Sequence, residues 1–297
     1  MDTLLQQTIN TLTMASVYGL FAVGFVLIFG VLDVLNLGYA FVFMITANIA
    51  VWTIINSGSL VLAVAVGLVS GAVLGLVLDF VAYRPVRGRG ATGGAVSYGP
   101  LLSTLGIAGV LEAVAVVWFG TRNQIVPEDA FPQQSFHLFG ATITLLQIVV
   151  IVFGIGLLIA LHRFLRGTIY GRALRAVAEN RQMATSLGIN SGAVVTGVWV
   201  LSSMLAALAG VFIALVTSGV STSMGSTYEL KGFIVVVLGG MGSVGGAIVA
   251  ALMLAVLETT GVYYLGGQFR DMIPLLAIVL ILLIRPHGLL GRRARTV

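Results

Sequence analysis

Stretches of about 20 residues without a single charged side chain dominate this chain, and a helix of that length crosses the hydrocarbon of a bilayer. Apolar windows fall at 8–30, 32–55, 59–82, 100–120, 141–162, 193–217, 230–264 and 272–285. Only 8% of the 297 residues are charged, against about 25% in an ordinary soluble domain. Water-soluble folds are excluded on that ground. The expected fold is all-α: a polytopic helical membrane protein with eight hydrophobic regions, forming one domain over 1–297.

The arginines set the expected orientation. They cluster in three stretches: Arg84, Arg87 and Arg89; Arg163, Arg166, Arg172, Arg175 and Arg181; and Arg285, Arg292, Arg293 and Arg295. Positive-inside bias assigns all three to the cytoplasm. The loop 121–140, where Arg122 faces Glu128 and Asp129, then lies outside, as does the N-terminus. The opening MDTLLQQT has no positive n-region and reads as a retained segment rather than a cleaved signal. A cytoplasmic C-terminus requires one more crossing than eight simple spans provide. The window 230–264 supplies it, because GGMGSVGG at 239–246 divides it into a short helix, a glycine break and a longer helix. Irregular backbone at membrane depth needs protein or water around it, so the break is expected inside the bundle. The alternative is a glycine-rich loop at the surface.

The longest inward loop, 163–192, carries the one patterned polar segment, YGRALRAVAENRQMATSLGIN. At 100° per residue, Ala173, Ala176, Val177, Asn180, Met183, Ala184 and Leu187 share one face, with Arg172, Arg175, Glu179, Gln182 and Ser186 opposite. This predicts a single amphipathic helix ended by a left-handed cap at Gly188. Its face is too small-sided to sink into lipid, where bulky side chains are favoured, and suits a groove on another protein.

Chemistry is sparse. The chain has no Cys, which removes thiolate metal sites and thiol catalysis. No GxxxxGK[ST] occurs, so ATP is not bound by that device. His137, His162 and His287 have no ligand spacing, and no metal site is expected. No basic, aromatic-rich patch points to nucleic acid. Glu112 and Glu258 are the acidic residues deepest in apolar windows, and are read either as relay groups or as carboxylates holding helices together. Asp79, one turn from Arg84, predicts a surface ion pair of little consequence. Asn36, Thr46 and Asn48 in the second window, Ser103 and Thr104 in the fourth, and Gly239 and Gly240 at the break are the candidates for a weakly polar permeation path; Asn, Ser and Thr equally serve as interhelical hydrogen-bonding groups.

Four stretches carry a resemblance. RALRAVAENRQMATSLGIN, YRPVRGRG with LLSTLGIAGVLE, LKGFIVVVLGGMGSVGGAIVAALMLAVLE and RDMIPLLAIVLILLIRPHGLLG resemble, in the same order, inner-membrane permease subunits of branched-chain amino acid ABC transporters. LNLGYAFVFMITAN at 35–48 keeps Asn36 and Leu37 but lacks the His and acidic residue that often follow in that family. The resemblance implies an ABC importer permease bundle in the inner membrane that is not itself an enzyme. It also implies cytoplasmic ATPase subunits carrying ATP and Mg²⁺, a second related permease as heterodimer or homodimer partner, and a periplasmic or tethered binding protein. Arg172, Arg175, Ala176, Glu179, Asn180, Ala184, Leu187 and Gly188 would contact the ATPase. A urea or short-amide permease of the same family and an ion-coupled secondary transporter are the alternatives.

Overall fold

The computed structural model describes residues 2–86, 99–127, 134–138, 141–240 and 242–284. Arg87, Arg89, Glu128, Asp129, His287, the four arginines from Arg285 onward and the expected cytoplasmic tail lie outside the described residues.

Eleven helices and four short strands follow in the order α1 (Asp2–Leu32), α2 (Tyr39–Ser57), α3 (Leu60–Val77), α4 (Gly99–Phe119), β1 (Gln124–Ile125), β2 (Ser135–Leu138), β3 (Ala141–Thr144), α5 (Leu145–Gly167), α6 (Ile169–Glu179), α7 (Arg181–Ser186), α8 (Ser191–Val216), β4 (Gly219–Val220), α9 (Met224–Gly239), α10 (Val244–Leu265) and α11 (Met272–Ile284). A π-helical turn, Leu78–Tyr83, continues α3. Seven helices are long and apolar enough to cross a membrane: α1, α2, α3 with its π turn, α4, α5, α8 and α10. Capping starts several of them. Ser59, Asn190 and Ser243 each accept a hydrogen bond from the third residue onward, and Thr144 forms a full capping box with Gln147.

The helices sort into an inner triad and an outer ring. The most apolar windows of α1, α2 and α8 are 78%, 72% and 78% buried, whereas those of α3, α4, α5 and α10 bury no more than 28%. Outward side chains on the ring, such as Val61, Val69, Val117 and Phe153, are apolar and exposed, as lipid requires. At one end β1 pairs antiparallel with β4 and β2 with β3; we call this the strand end. The opposite end carries α6 and α7.

Two sequence expectations change here. The window at 141–162 begins as strand β3, and its helix starts only at Leu145. The glycine break is a tight corner between α9 and α10 at the α6–α7 end: Gly242 and Ser243 share a cavity wall with Gly30 near the end of α1, with His162 and Arg166 at the end of α5, and with Leu174 of α6. Gly240 takes φ 86°, and a Cβ on Gly246 would collide with the Gly239 carbonyl, so the corner closes only with glycine at these positions. α9, at 16 residues, is about 24 Å long, so α9 and α10 form an antiparallel hairpin rather than one helix interrupted at mid-depth.

Candidate functional site

At the α6–α7 end the loop 163–192 forms two helices, not one. Asn180 leaves the helix at φ −156°, ψ 104°, and its side-chain oxygen accepts the Met183 N–H, capping α7. Asn competes with the backbone in this way and so favours caps over helix interiors. The expected single face is thereby split. Val177 and Ala184 turn inward and are buried, while Met183 and Leu187 are 63% and 76% exposed, as are Ile169 and Tyr170 at the start of α6. Arg172 and Glu179 are exposed, and Ala176 is half-buried. The Arg175 guanidinium donates to the Leu165 carbonyl, closing the last turn of α5. The Gly188 cap is as expected: φ is 86°, Gly188 N–H donates to Thr185 O, and Ile189 N–H to Ala184 O, the paired bonds of a Schellman ending.

The elbow between α6 and α7 is held to the bundle by a polar cluster that the sequence reading took for a surface pair. The π turn draws Asp79 inward until it is 1% exposed. One oxygen, Oδ2, accepts from Arg84 Nε at 3.1 Å and from the Thr196 hydroxyl of α8 at 2.6 Å. Arg84 also donates to Thr196 at 2.8 Å. Tyr83, the last residue of the π turn, lies within electrostatic reach of Arg181, the first residue of α7. Asp79, Tyr83, Thr196 and Arg181 thus join α3, α8 and α7.

Glu258 is the centre of a second cluster, near the strand end. It is 2% exposed. It accepts from Tyr18 at 2.7 Å, from Lys231 Nζ at 3.1 Å and from Arg270 Nε at 2.6 Å. Lys231, 5% exposed, lies 5.5 and 5.4 Å from the ring centres of Tyr18 and Tyr228, within cation–π range. Asp271 stands 3.5 Å from Lys231 at the surface. Glu258 is therefore a paired carboxylate binding α1, α9, α10 and the α10–α11 corner together. Burial disfavours the charge on Arg270, but the hydrogen bond to Glu258 and the field of Tyr18, Glu258 and Tyr228 together outweigh it and raise its pKa above the ordinary arginine value. Glu112, by contrast, is half-buried on α4 and lies within electrostatic reach of Glu229.

The cluster forms one wall of a cavity of about 490 Å³ with mixed polar and apolar lining, bordered by α1, α5, α8 and α10 near the strand end. None of the path residues nominated from the sequence lines it. Asn36, Ser103 and Thr104 come together near the α6–α7 end: Asn36 Oδ1 and the Thr104 carbonyl both lie 3.4 Å from where a Cβ on Gly38 would stand, and Ser103 donates to the Ala82 carbonyl. Thr46 and Asn48 are buried in α2 and donate to carbonyls of their own helix. Gly239 and Gly240 build the α9–α10 corner.

Sequence reasoning missed Lys231, Arg270, Tyr18, Tyr83 and Thr196. Lys231 carried a signal, being the chain's only lysine and set in the apolar run LKGFIVVVLGG. The other partners are brought in by tertiary packing and leave no local pattern. Among the described residues no group of three or more His, Asp or Glu side chains is arranged to hold a metal ion.

The sequence profile of the family described as branched-chain amino acid transport system, permease component, matches residues 7–284. The high-affinity branched-chain amino acid transport system permease protein BraD of Pseudomonas aeruginosa is 31% identical over 97% of this chain and 96% of its own length. The corresponding permease LivH of Escherichia coli is 32% identical with the same coverage. The autoinducer 2 import system permease LsrC of Escherichia coli is 28% identical over 52% of this chain and 44% of its own. No solved structure matches the chain significantly.

Proposed function

The chain belongs to the permease component family of branched-chain amino acid transport systems, a transport subunit rather than an enzyme, and from that premise we propose that it moves branched-chain amino acids inward with energy supplied by separate ATPase subunits. The observation that carries the coupling half of this reading is the α6–α7 elbow. Its Met183 and Leu187 are exposed apolar side chains, and Ile169 and Tyr170 are exposed at the start of α6; such a segment suits a groove on a soluble partner. Its inner face is fastened through Arg181 and Tyr83 to α3, and through Asp79 and Thr196 to α8, so movement of the elbow loads membrane helices directly. ATP and Mg²⁺ belong on the partner. A second permease, related or identical, completes the pathway, and a binding protein delivers substrate at the strand end.

This reading places the elbow in the cytoplasm and the strand end outside the inner membrane, as positive-inside bias requires. The test is co-expression with the neighbouring transport subunits. The wild-type chain is expected to purify with an ATPase, and Glu179→Arg or Leu187→Asp to release it. Retention of the ATPase by both variants would sink the assigned contact, and ATP-independent uptake at the full rate would sink the coupling. Because the chain has no Cys, a single cysteine at Ser221 reports topology on a silent background. Labelling from the cytoplasmic side would reverse the orientation.

A further inference from the structure

The cavity at the strand end has the makings of a ligand site, and of the residues nominated from the sequence Glu258 alone stands on its wall. Arg270 reaches it already oriented. Its Nε is committed to Glu258 at 2.6 Å, which fixes the plane of the guanidinium. Among the described residues the other contact is from Nη2 to the Met14 thioether at 3.8 Å, a weak acceptor. The terminal fork therefore meets no oxygen among the described residues, although Arg270 lines the cavity. A planar fork with two parallel N–H directions matches a carboxylate.

The remaining walls match the rest of an amino acid. Gln7 and Gln147 contribute amide oxygens that suit an ammonium: Gln147 Oε1 accepts from the Thr144 N–H and keeps a second lone pair, whereas Asn10 Oδ1 already accepts from both Gln6 and Gln147 and serves to hold the Gln147 amide. Val216 and Val262 supply apolar lining. Glu258 cannot serve the ammonium, because Tyr18, Lys231 and Arg270 already occupy it; it acts as the positioning residue for Arg270. A volume of about 490 Å³ admits an aliphatic amino acid together with water. We propose that this cavity is a binding vestibule for aliphatic α-amino acids, in which Arg270 holds the substrate carboxylate. The proposal rests on the amino acid reading above and deepens it, because urea and short amides have no carboxylate for the fork.

The test uses the full chain, assembled with its partner subunits, bearing Tyr263→Cys on the cavity wall. Thiol labelling is expected to be slowed by L-leucine and about tenfold less effectively by L-leucinamide, since loss of a charge-assisted pair of about 1.4 kcal/mol is tenfold in affinity. Arg270→Gln should remove the protection by leucine. Arg270→Lys, which keeps the charge and the contact with Glu258 but not the fork, should retain part of it and guards against a mere folding defect. Equal protection by leucine and leucinamide, or full protection in Arg270→Gln, overturns the proposal. ATP-driven leucine uptake is measured on the same preparation. Uptake without protection refutes the vestibule and leaves the transport reading standing, whereas carboxylate-selective protection without ATP-driven uptake supports the vestibule and refutes the transport reading.

Discussion

Removing Glu258 should cost this protein more than any other single charge, and the cost should shrink when Lys231 is removed as well. Glu258 and the Lys231 side chain are 2% and 6% exposed, so neither can turn to water when its partner goes. In Glu258→Leu the ammonium keeps only the Tyr18 hydroxyl at 3.3 Å and Asp271 at 3.5 Å, a carboxylate that is itself 71% exposed. Breaking a buried pair by deleting one member costs about 3–5 kcal/mol. Lys231→Met is milder, because Glu258 keeps two of its three donors, Tyr18 and Arg270; the loss of one charge-assisted bond is worth about 1.5–3 kcal/mol. In the double variant no buried ammonium is stranded, and Arg270, 37% exposed, can hydrate through the cavity. The expected order of thermal midpoint, followed by fluorescence-detected size exclusion in one detergent, is wild type, Lys231→Met, the double variant, then Glu258→Leu. The second substitution thus recovers stability lost to the first, a coupling that exceeds the cost of Lys231→Met itself, about 1.5–3 kcal/mol. A double variant less stable than Glu258→Leu would refute the pairing as the source of stability.

Asp79→Asn removes the charge that holds Arg84 and Thr196 while keeping the side-chain shape. Stability should fall by about 1–3 kcal/mol, and limited proteolysis should cut the α6–α7 elbow faster; unchanged cleavage would show that the cluster does not fasten the elbow. Gly246→Ala puts a Cβ against the Gly239 carbonyl, where neither partner is a flexible side chain. Its yield of monodisperse protein should collapse, whereas Gly245→Ala, whose Cβ would meet nothing within 4 Å, should purify normally. Equal yields would mean that the α9–α10 corner is looser than drawn.

Most of the helical layout was legible in the residues, and the reason is physical. Lipid leaves the backbone no hydrogen-bonding partner but itself, so an uncharged run such as 193–217 can hardly become anything but the helix seen at Ser191–Val216. The glycine corner was legible for a similar reason, since a parity count and a cluster of glycines both demanded a turn near 239–246. Its depth was not, because the turn's neighbours on α1, α5 and α6 are distant in sequence. Local pattern also misled at two positions. A 100° period treats Asn180 as one more residue on a face, yet its side chain ends one helix and begins the next. Likewise Asp79 and Arg84 look like a surface pair on a regular helix, and the π turn, with Arg84 N–H bonded to Asp79 O at 2.9 Å, changes which way the carboxylate points.

The two polar clusters answer different mechanical needs, and their placement on shared helices links them. α8 carries Thr196, bonded to Asp79 beside the elbow, and Val216, on the wall of the strand-end cavity; these lie about 30 Å apart along an unbroken helix. α1 does the same from the other side, with Gly30 beside the α9–α10 corner and Asn10 and Met14 in the cavity. A helix of the inner triad cannot bend locally without opening voids in a close-packed core, so displacement at one end is passed on as tilt. Glu258 then has a role that a well-packed apolar residue could not fill. Three donors from α1, α9 and the α10–α11 corner converge on it, which ties the cavity wall into one body.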